Sequence, residues 1–111
     1  MKYAPLEPFD IRDVVGKVKA SWFNQTLVRV NRSILRLGVI MGEFHWHRHR
    51  NDDELFFVLR GRLIVELRDR KIALRGGQGV VVPGGVMHRT RAPKRTVVLM
   101  VANAGIKPTG D

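Results

Sequence analysis

From Ser21 onward, hydrophobic residues recur in short runs that alternate with polar residues or are rich in β-branched side chains. Runs of this kind, separated by turn residues, are typical of β-strands. Many short strands at this spacing indicate a β-sandwich or barrel, so the predicted fold class is all-β. The predicted strands span residues 26–30, 33–41, 44–49, 55–60, 63–68, 72–75, 79–82, 88–91 and 96–102.

The first twenty residues have a different texture. Pro5 and Pro8 predict an irregular arm, and Asp10 is placed to cap a short helix over residues 11–18. A chain of 111 residues suits one domain. We therefore divide the chain into an N-terminal arm or helix, residues 1–20, and a single barrel domain, residues 21–111.

Two of the predicted strands are apolar on both faces, namely residues 55–59 and 97–101. A strand that is buried on both sides needs a second layer outside the barrel. The N-terminal arm is long enough to supply only part of that layer. We therefore expect a homodimer or a larger assembly.

The chain is strongly basic, with 20 Lys and Arg residues against 10 Asp and Glu and a formal net charge of +10 at pH 7. Such a balance favours encounters with anions. The basic residues are spread along the chain without a block of five or six like charges, so we interpret them first as a solvated surface. A small anionic ligand is the next interpretation, and nucleic acid is not expected to be a partner.

Cysteine is absent, which excludes disulfides, thiolate zinc sites and cysteine nucleophiles. No apolar run approaches the roughly 18 residues that a membrane span needs. The N-terminal residues also lack the apolar run of a signal peptide. We expect a cytoplasmic protein that does not contact a membrane.

The histidines carry the strongest chemical signal. His45, His47 and His49 alternate with single residues, so in a strand they would project from one face. Glu54 follows a predicted turn at 51–53 and can open the returning strand, and His88 follows the turn at 83–85. Neutral imidazoles and a carboxylate suit Zn, Mn, Fe, Ni or Co. A set of three of these four histidines together with Glu54 therefore predicts a divalent transition-metal site, with one or two positions open to water or substrate.

His45 is ambiguous, because three ligands from one strand would span too far for a single ion. It lies either beside the pocket or at its rim, and it is the one obvious candidate for a base at neutral pH on that face. Phe56 and Val58 lie two and four residues after Glu54, and Thr90 lies two residues after His88, so in a strand they point to the same side as these candidate ligands. These three residues are predicted to line a small, mostly apolar pocket beside the metal.

Two segments carry a family resemblance. Residues 42–61, GEFHWHRHRNDDELFFVLRG, resemble the first motif of the cupin superfamily, and residues 77–88, GQGVVVPGGVMH, resemble the second. The resemblance covers about residues 22–111 and is greatest to small single-domain cupins of the mannose-6-phosphate isomerase-like type, including the final Thr109-Gly110-Asp111. Four residues separate Gly42 from His47 instead of the usual five, and Ala92 replaces a frequent asparagine, but neither departure removes a ligand.

This resemblance implies a cupin-type double-stranded β-helix, or jelly-roll barrel, with a metal held by His47, His49, Glu54 and His88. It also implies a small-molecule ligand, which we expect to be anionic or oxygen-rich because a divalent ion with one carboxylate keeps a net positive charge. The expected activity is that of a metal-dependent isomerase. A metal-dependent dioxygenase and a non-catalytic metal-binding or sensor module are the alternatives, since one fold hosts many functions.

Overall fold

The structure is a computed structural model that describes residues 1–111. It contains one short helix and seven antiparallel strands. In chain order the elements are α1 (Ile11–Lys17), β1 (Trp22–Val30), β2 (Ser33–Glu43), β3 (Glu54–Arg60), β4 (Arg62–Leu67), β5 (Lys71–Arg75), β6 (Gly79–Val82) and β7 (His88–Asn103).

Strand β7 is the centre of the architecture. It pairs with β4 through its first residues and with β2 and β3 through the remainder. The strand order is β1-β2-β7-β3-β6, and β4 and β5 are joined to it through β7. The arrangement is consistent with a double-stranded β-helix, and the predicted all-β class is confirmed.

The predicted break at residues 92–94 is wrong, because β7 runs without interruption from His88 to Asn103. Pro93 lies where the register between β2 and β7 shifts, between the pairs Ile40–Thr96 and Gly42–Ala92. Proline has no N–H to donate, and an irregularity in the ladder is where this loss costs least. Pro93 therefore marks the point where β7 changes partners.

The predicted strand at residues 44–49 is also wrong. This segment is irregular apart from an isolated bridge between His47 and His88. Its backbone groups bond to several different elements, including the N–H of Gly85, which donates to the carbonyl of His49 at 2.7 Å, and the carbonyl of Thr90, which accepts from Phe44 at 3.0 Å. Phe44 and His47 bond to β7, whereas the carbonyls of Arg48 and His49 accept from Asp111 and Gly85, so the segment has no continuous partner strand.

The apolar residues form two main clusters, one on each side of the sheet. Residues of the inner cluster fill the barrel, and among them Val58, Leu63 and Val65 are fully buried. The outer cluster lies under α1, where Val14 packs with Leu27, Leu37, Val39 and Val97. The N-terminal segment thus supplies part of the second layer that the two-sided strands require.

Helix α1 begins where the sequence predicts it, although it ends one residue earlier. The carboxylate of Asp10 accepts a hydrogen bond from the backbone N–H of Arg12 at 2.9 Å, which caps the first turn. The backbone N–H groups of Lys2 and Tyr3 donate to the carbonyls of Thr26 and Leu27 on β1. No helix of this chain has the length and apolar character needed to cross a membrane.

Candidate metal centre

Four side chains that the sequence singled out meet at one point inside the barrel. His47 and His49 come from the irregular segment, Glu54 opens β3, and His88 opens β7. One potential ligand atom from each lies within 4.8 Å of the others. All four residues are buried, with exposed fractions of 8% or less. The predicted set is therefore assembled from three separate parts of the chain.

Backbone contacts hold two of the histidines in the ligating orientation. The N–H of His47 donates to the carbonyl of His88 and the reverse bond is also made, both at 2.9 Å. The Nδ1 of His47 lies 2.9 Å from the carbonyl oxygen of His45, and the Nδ1 of His88 lies 2.9 Å from that of Val86. A carbonyl oxygen can only accept, so both Nδ1 atoms carry the proton and both Nε2 atoms keep a free lone pair.

Several buried nitrogens have no hydrogen-bond partner in the protein. They are both ring nitrogens of His49 and Nε2 of His88. Leaving a buried polar group unsatisfied costs about 1–3 kcal/mol. The nearest carboxylate oxygen, Oε1 of Glu54, is 3.4 Å from Nε2 of His49 and 4.0 Å from Nε2 of His88.

A cation between these atoms would coordinate Nε2 of His49 and Nε2 of His88, and of the three unsatisfied nitrogens only Nδ1 of His49 would remain without a partner. Two ligand atoms that are each about 2.1 Å from one ion at a near-tetrahedral angle are about 3.4 Å apart. The distance between His49 Nε2 and Glu54 Oε1 has this value. Three imidazoles and one carboxylate, all buried and converging, therefore fit a divalent transition metal.

The electrostatics of the protein alone favour the ligating form of the histidines. Burial lowers the pKa of His47, His49 and His88, so their imidazoles are neutral. Burial also raises the pKa of Glu54 to about 7, against the opposing effect of Arg36. A bound divalent cation favours the ionised carboxylate.

A cavity of about 50 Å³ opens beside this cluster, with His47 and Glu54 in its wall. A space of this size holds a few water molecules or the reacting end of a small ligand. Phe56 and Thr90 line it, as the parity argument expects. Val58 lies on the same face of β3 but deeper, where it is fully buried in the barrel core.

His45 lies apart from the four converging residues. Its side chain is exposed, and its Nε2 donates to the carbonyl of Thr109 at 2.9 Å. Its ring centroid is 5.3 Å from that of His47, but His45 does not line the cavity. The alternation of three histidines is thus resolved into two candidate ligands and one residue at the rim.

Arg36, which lines the cavity from β2, was not among the predicted site residues. The alternation along this strand indicates that Arg36 points inward, because it lies on the same face as the buried residues Ile34 and Ile40. A charged residue at an inward position of a barrel strand points to a polar role inside.

The last residues of the chain pack against the histidine segment. The N–H of Asp111 donates to the carbonyl of Arg48 at 2.8 Å, and its carboxylate accepts from the N–H of Arg50 at 2.9 Å. Gly110 has a φ of +89°, and a Cβ added there would lie 2.7 Å from Cβ of His47. We call residues 108–111 the C-terminal clasp.

The fold and the cluster agree with a comparison against protein families, in which the cupin domain matches residues 39–102. This chain belongs to the cupin family. The match includes all four converging residues.

Individual proteins are also similar to this chain. The uncharacterized protein YdbB of Bacillus subtilis is 39% identical over 89 residues, which is 79% of each chain. The crystal structure of a cupin-2 domain containing protein from Shewanella frigidimarina superimposes with a TM-score of 0.80 at 29% identity, over 84% of this chain and 91% of that one. Protein NMB1881 of Neisseria meningitidis shares the fold, with a TM-score of 0.79 at 22% identity over 88% of this chain and 100% of its own.

Proposed function

We propose that this cupin binds a divalent transition metal through His47, His49, Glu54 and His88 and takes a small anionic or oxygen-rich metabolite into the adjoining cavity. The observation that carries the proposal is the buried group of four donors, with ring nitrogens that have no other partner, at the wall of a cavity. The ion would be Zn, Mn, Fe, Ni or Co, because imidazole and carboxylate suit all five.

When bound, the metal supplies Lewis-acid polarisation of a ligand oxygen. The chain contributes the surroundings of that oxygen. The hydrogen bonds at Nδ1 of His47 and His88 orient both rings. Phe56 and other apolar side chains make much of the cavity wall, which lowers the local polarity and strengthens electrostatic interactions inside it.

The proposed reaction class is isomerisation, as in the mannose-6-phosphate isomerase-like type of cupin, with His45 as the base. Because Nε2 of His45 donates to Thr109, Nδ1 is the nitrogen left to accept a proton. In this proposal the substrate must reach His45 at the rim while an oxygen lies at the metal.

A non-catalytic metal-binding or sensor module is the second candidate. Apart from the two ligands in its wall, the cavity has polar groups from Asn24, Arg36, Thr90 and the indole of Trp22. None of the four titrates near neutral pH. A cavity without its own acid or base favours binding over proton transfer. A dioxygenase is the third candidate, since the same donor set also accepts iron.

Elemental analysis of protein purified without added metal tests the core of the proposal. We expect a divalent transition metal at about one equivalent per chain, and its loss in a His47→Ala, His88→Ala double variant. Oxygen consumption by the Fe(II)-loaded protein would select the dioxygenase, and turnover without oxygen would select the isomerase. Protein that neither retains a metal nor takes one up on titration would refute the proposal.

A further inference from the structure

Arg36 is a partly buried cation on the inner face of β2. It stands opposite Thr26 on β1 and opposite Met100 on β7. Its side chain lines the same cavity as His47 and Glu54. Burial lowers its pKa, which shows that part of its hydration is lost without full compensation.

The guanidinium of Arg36 has no acidic side chain within salt-bridge distance, and Glu54 acts on it only from farther away. Its one hydrogen bond is a long contact of 3.5 Å from Nε to Oγ1 of Thr26, and it forms no salt bridge. A guanidinium carries five N–H donors in a planar fork, so most of its hydrogen-bonding capacity is unused. By contrast, Arg89 and Arg91 are both paired with the buried Glu66.

A metal at the proposed site would make the binding of an anion beside Arg36 more favourable. Glu54 is the one carboxylate in the cavity wall, and as a metal ligand its charge is taken up by the ion. The divalent ion, Glu54 and Arg36 then sum to a net charge of +2. An anionic ligand between metal and guanidinium would reduce this charge.

On the basis of the proposed function, we propose that Arg36 is the carboxylate-binding residue of the cavity and that the ligand is a small carboxylic acid. Its carboxylate pairs with Arg36, and a second oxygen, as a hydroxyl or carbonyl group, is directed to the metal. The planar fork of arginine matches a carboxylate through two parallel hydrogen bonds.

The rest of the wall favours a carboxylate over a phosphate group. Arg36 is the one Arg or Lys side chain that lines the cavity, and Asn24 is the one amide side chain in the wall. No helix N-terminus or glycine-rich loop supplies the additional N–H donors that phosphate sites use.

Arg36 also lines an outer space of about 350 Å³, which shares Trp22, Phe44 and Pro108 with the inner cavity. The rings of Trp22 and Phe44 are stacked, with centroids 5.4 Å apart. A carboxylate at Arg36 therefore lies at the boundary between metal and mouth. An apolar substituent of the acid would extend along this aromatic wall.

The test uses Co²⁺-loaded protein with glycolate, ethylene glycol and inorganic phosphate as probes, followed by calorimetry and by the visible absorption of Co²⁺. We expect glycolate to bind the wild-type protein and to change the Co²⁺ spectrum. Arg36→Gln should weaken glycolate binding by about 10- to 100-fold, the range for a hydrogen bond to a charged group. Its affinity for Co²⁺ alone should not fall, because a positive charge is removed.

Two further variants control for charge and folding. Arg32→Gln makes the same charge change at an exposed residue of the β1–β2 turn and should bind glycolate like the wild type. Arg36→Lys keeps the charge but loses the fork, so its glycolate affinity should lie between those of wild type and Arg36→Gln. Equal thermal midpoints for wild type and Arg36→Lys would show that folding is unaffected.

The possible failures are distinguishable. Wild-type protein that binds no Co²⁺ would refute the proposed function, and this inference with it. If Co²⁺ binds but glycolate affinity is the same in Arg36→Gln and Arg32→Gln, only the role of Arg36 is refuted. The carboxylate assignment would be refuted if ethylene glycol bound with the same affinity as glycolate. It would also be refuted if inorganic phosphate bound more tightly than glycolate.

Discussion

The histidines of the site differ in which ring nitrogen a metal can reach. His47 and His88 each have Nδ1 engaged with a backbone carbonyl, and their Nε2 atoms lie in the buried cluster. His45 instead uses Nε2 to hold the carbonyl of Thr109, and its ring is exposed. Residues that alternate in sequence therefore have different roles, because the segment that carries them is not a regular strand.

Alanine substitutions should reproduce this difference. We expect His47→Ala and His88→Ala to lower metal affinity by more than the 10- to 100-fold loss that partners outside the ligand set typically give. His45→Ala should retain the metal, because its ring is outside the converging group. Titration of each variant with Co²⁺ measures the difference. An equal loss in His45→Ala and His47→Ala would contradict the ligand assignment.

The C-terminal clasp makes a second prediction at this scale. Gly110 combines a φ of +89° with a close approach to His47, so any side chain there is strained and collides. We expect Gly110→Ala to displace residues 108–111 and to lower metal affinity by about tenfold, which corresponds to 1–2 kcal/mol of left-handed strain.

The matched control for the clasp is Gly105→Ala. Gly105 has no atom within 4 Å of an added Cβ and no positive φ. Its substitution should leave Co²⁺ affinity unchanged in the same titration. If both variants bind Co²⁺ like the wild type, the clasp does not position the histidine segment.

Among the secondary-structure elements, β4 and β7 are joined by a buried carboxylate. The two oxygens of Glu66 accept hydrogen bonds from Arg89 at 2.9 Å and Arg91 at 3.0 Å. Hydrogen bonding to Arg89, with a further bond from Arg91, lowers the pKa of Glu66 against the opposing effect of burial. The pair of arginines thus fixes the register next to His88, which stands at the start of the same strand.

Glu66→Gln should therefore destabilise the protein in a pH-dependent way. A carboxyl whose pKa is lower in the folded state stabilises the fold above its unfolded pKa of about 4.3 and loses that effect as pH falls through the folded value. We expect a lower thermal midpoint than wild type at pH 7 and a difference that shrinks below about pH 4. Glu43→Gln, at an exposed residue 3.5 Å from Arg89, should change the midpoint little.

The elements that sequence patterns predicted well are those with a single neighbour on each side. β2 and β6 were predicted at their first residues and β5 one residue late, because turn residues bound them. β7 and the segment at 44–49 were not, because their hydrogen bonds go to partners that are distant in sequence. A local sequence pattern does not show which distant strand a segment pairs with. It therefore could not show that β7 continues past Pro93, or that the segment at 44–49 remains outside the sheet.

The candidate site was predictable to the extent that its residues have distinctive chemistry. Histidine and glutamate spacing pointed to His47, His49, Glu54 and His88, which converge in the structure. Arg36 is one of many arginines in a basic chain, so the alternation of β2 did not by itself single it out, and its place in the cavity wall follows from the folded structure. The clasp was visible as a motif, but its contact with His47 is a product of the tertiary fold.

At the scale of the whole molecule, the outer face of the sheet is covered over only part of its width. α1 covers the region around Leu37 and Val97. Beyond it runs a cross-strand row on the same face, in which Leu35 pairs with Val101, Val101 with Leu55, and Leu55 with Val81. None of these four residues belongs to a buried core cluster, and Val81 is 53% exposed.

We expect this row to pack against a second copy of the chain. Burying a Val or Leu side chain fully stabilises by about 1.5–3 kcal/mol, so a continuous apolar row is costly to leave in water. A two-fold axis through the row would place the same side chains on both partners, which is the commonest closed arrangement. The metal clusters would then lie on the opposite, inner faces of the two sheets.

Light scattering at micromolar concentration measures the assembly directly. The wild-type protein should have at least twice the chain mass of 12.7 kDa. Val81→Lys places a charge in the row at a position open enough to leave the monomer folded, so it should shift the mass toward the monomer. Val30→Lys, at a residue 65% exposed on β1 and outside the row, should leave the mass unchanged. A wild-type mass near 12.7 kDa would show that the row stays in contact with solvent, and the dimer prediction would fail.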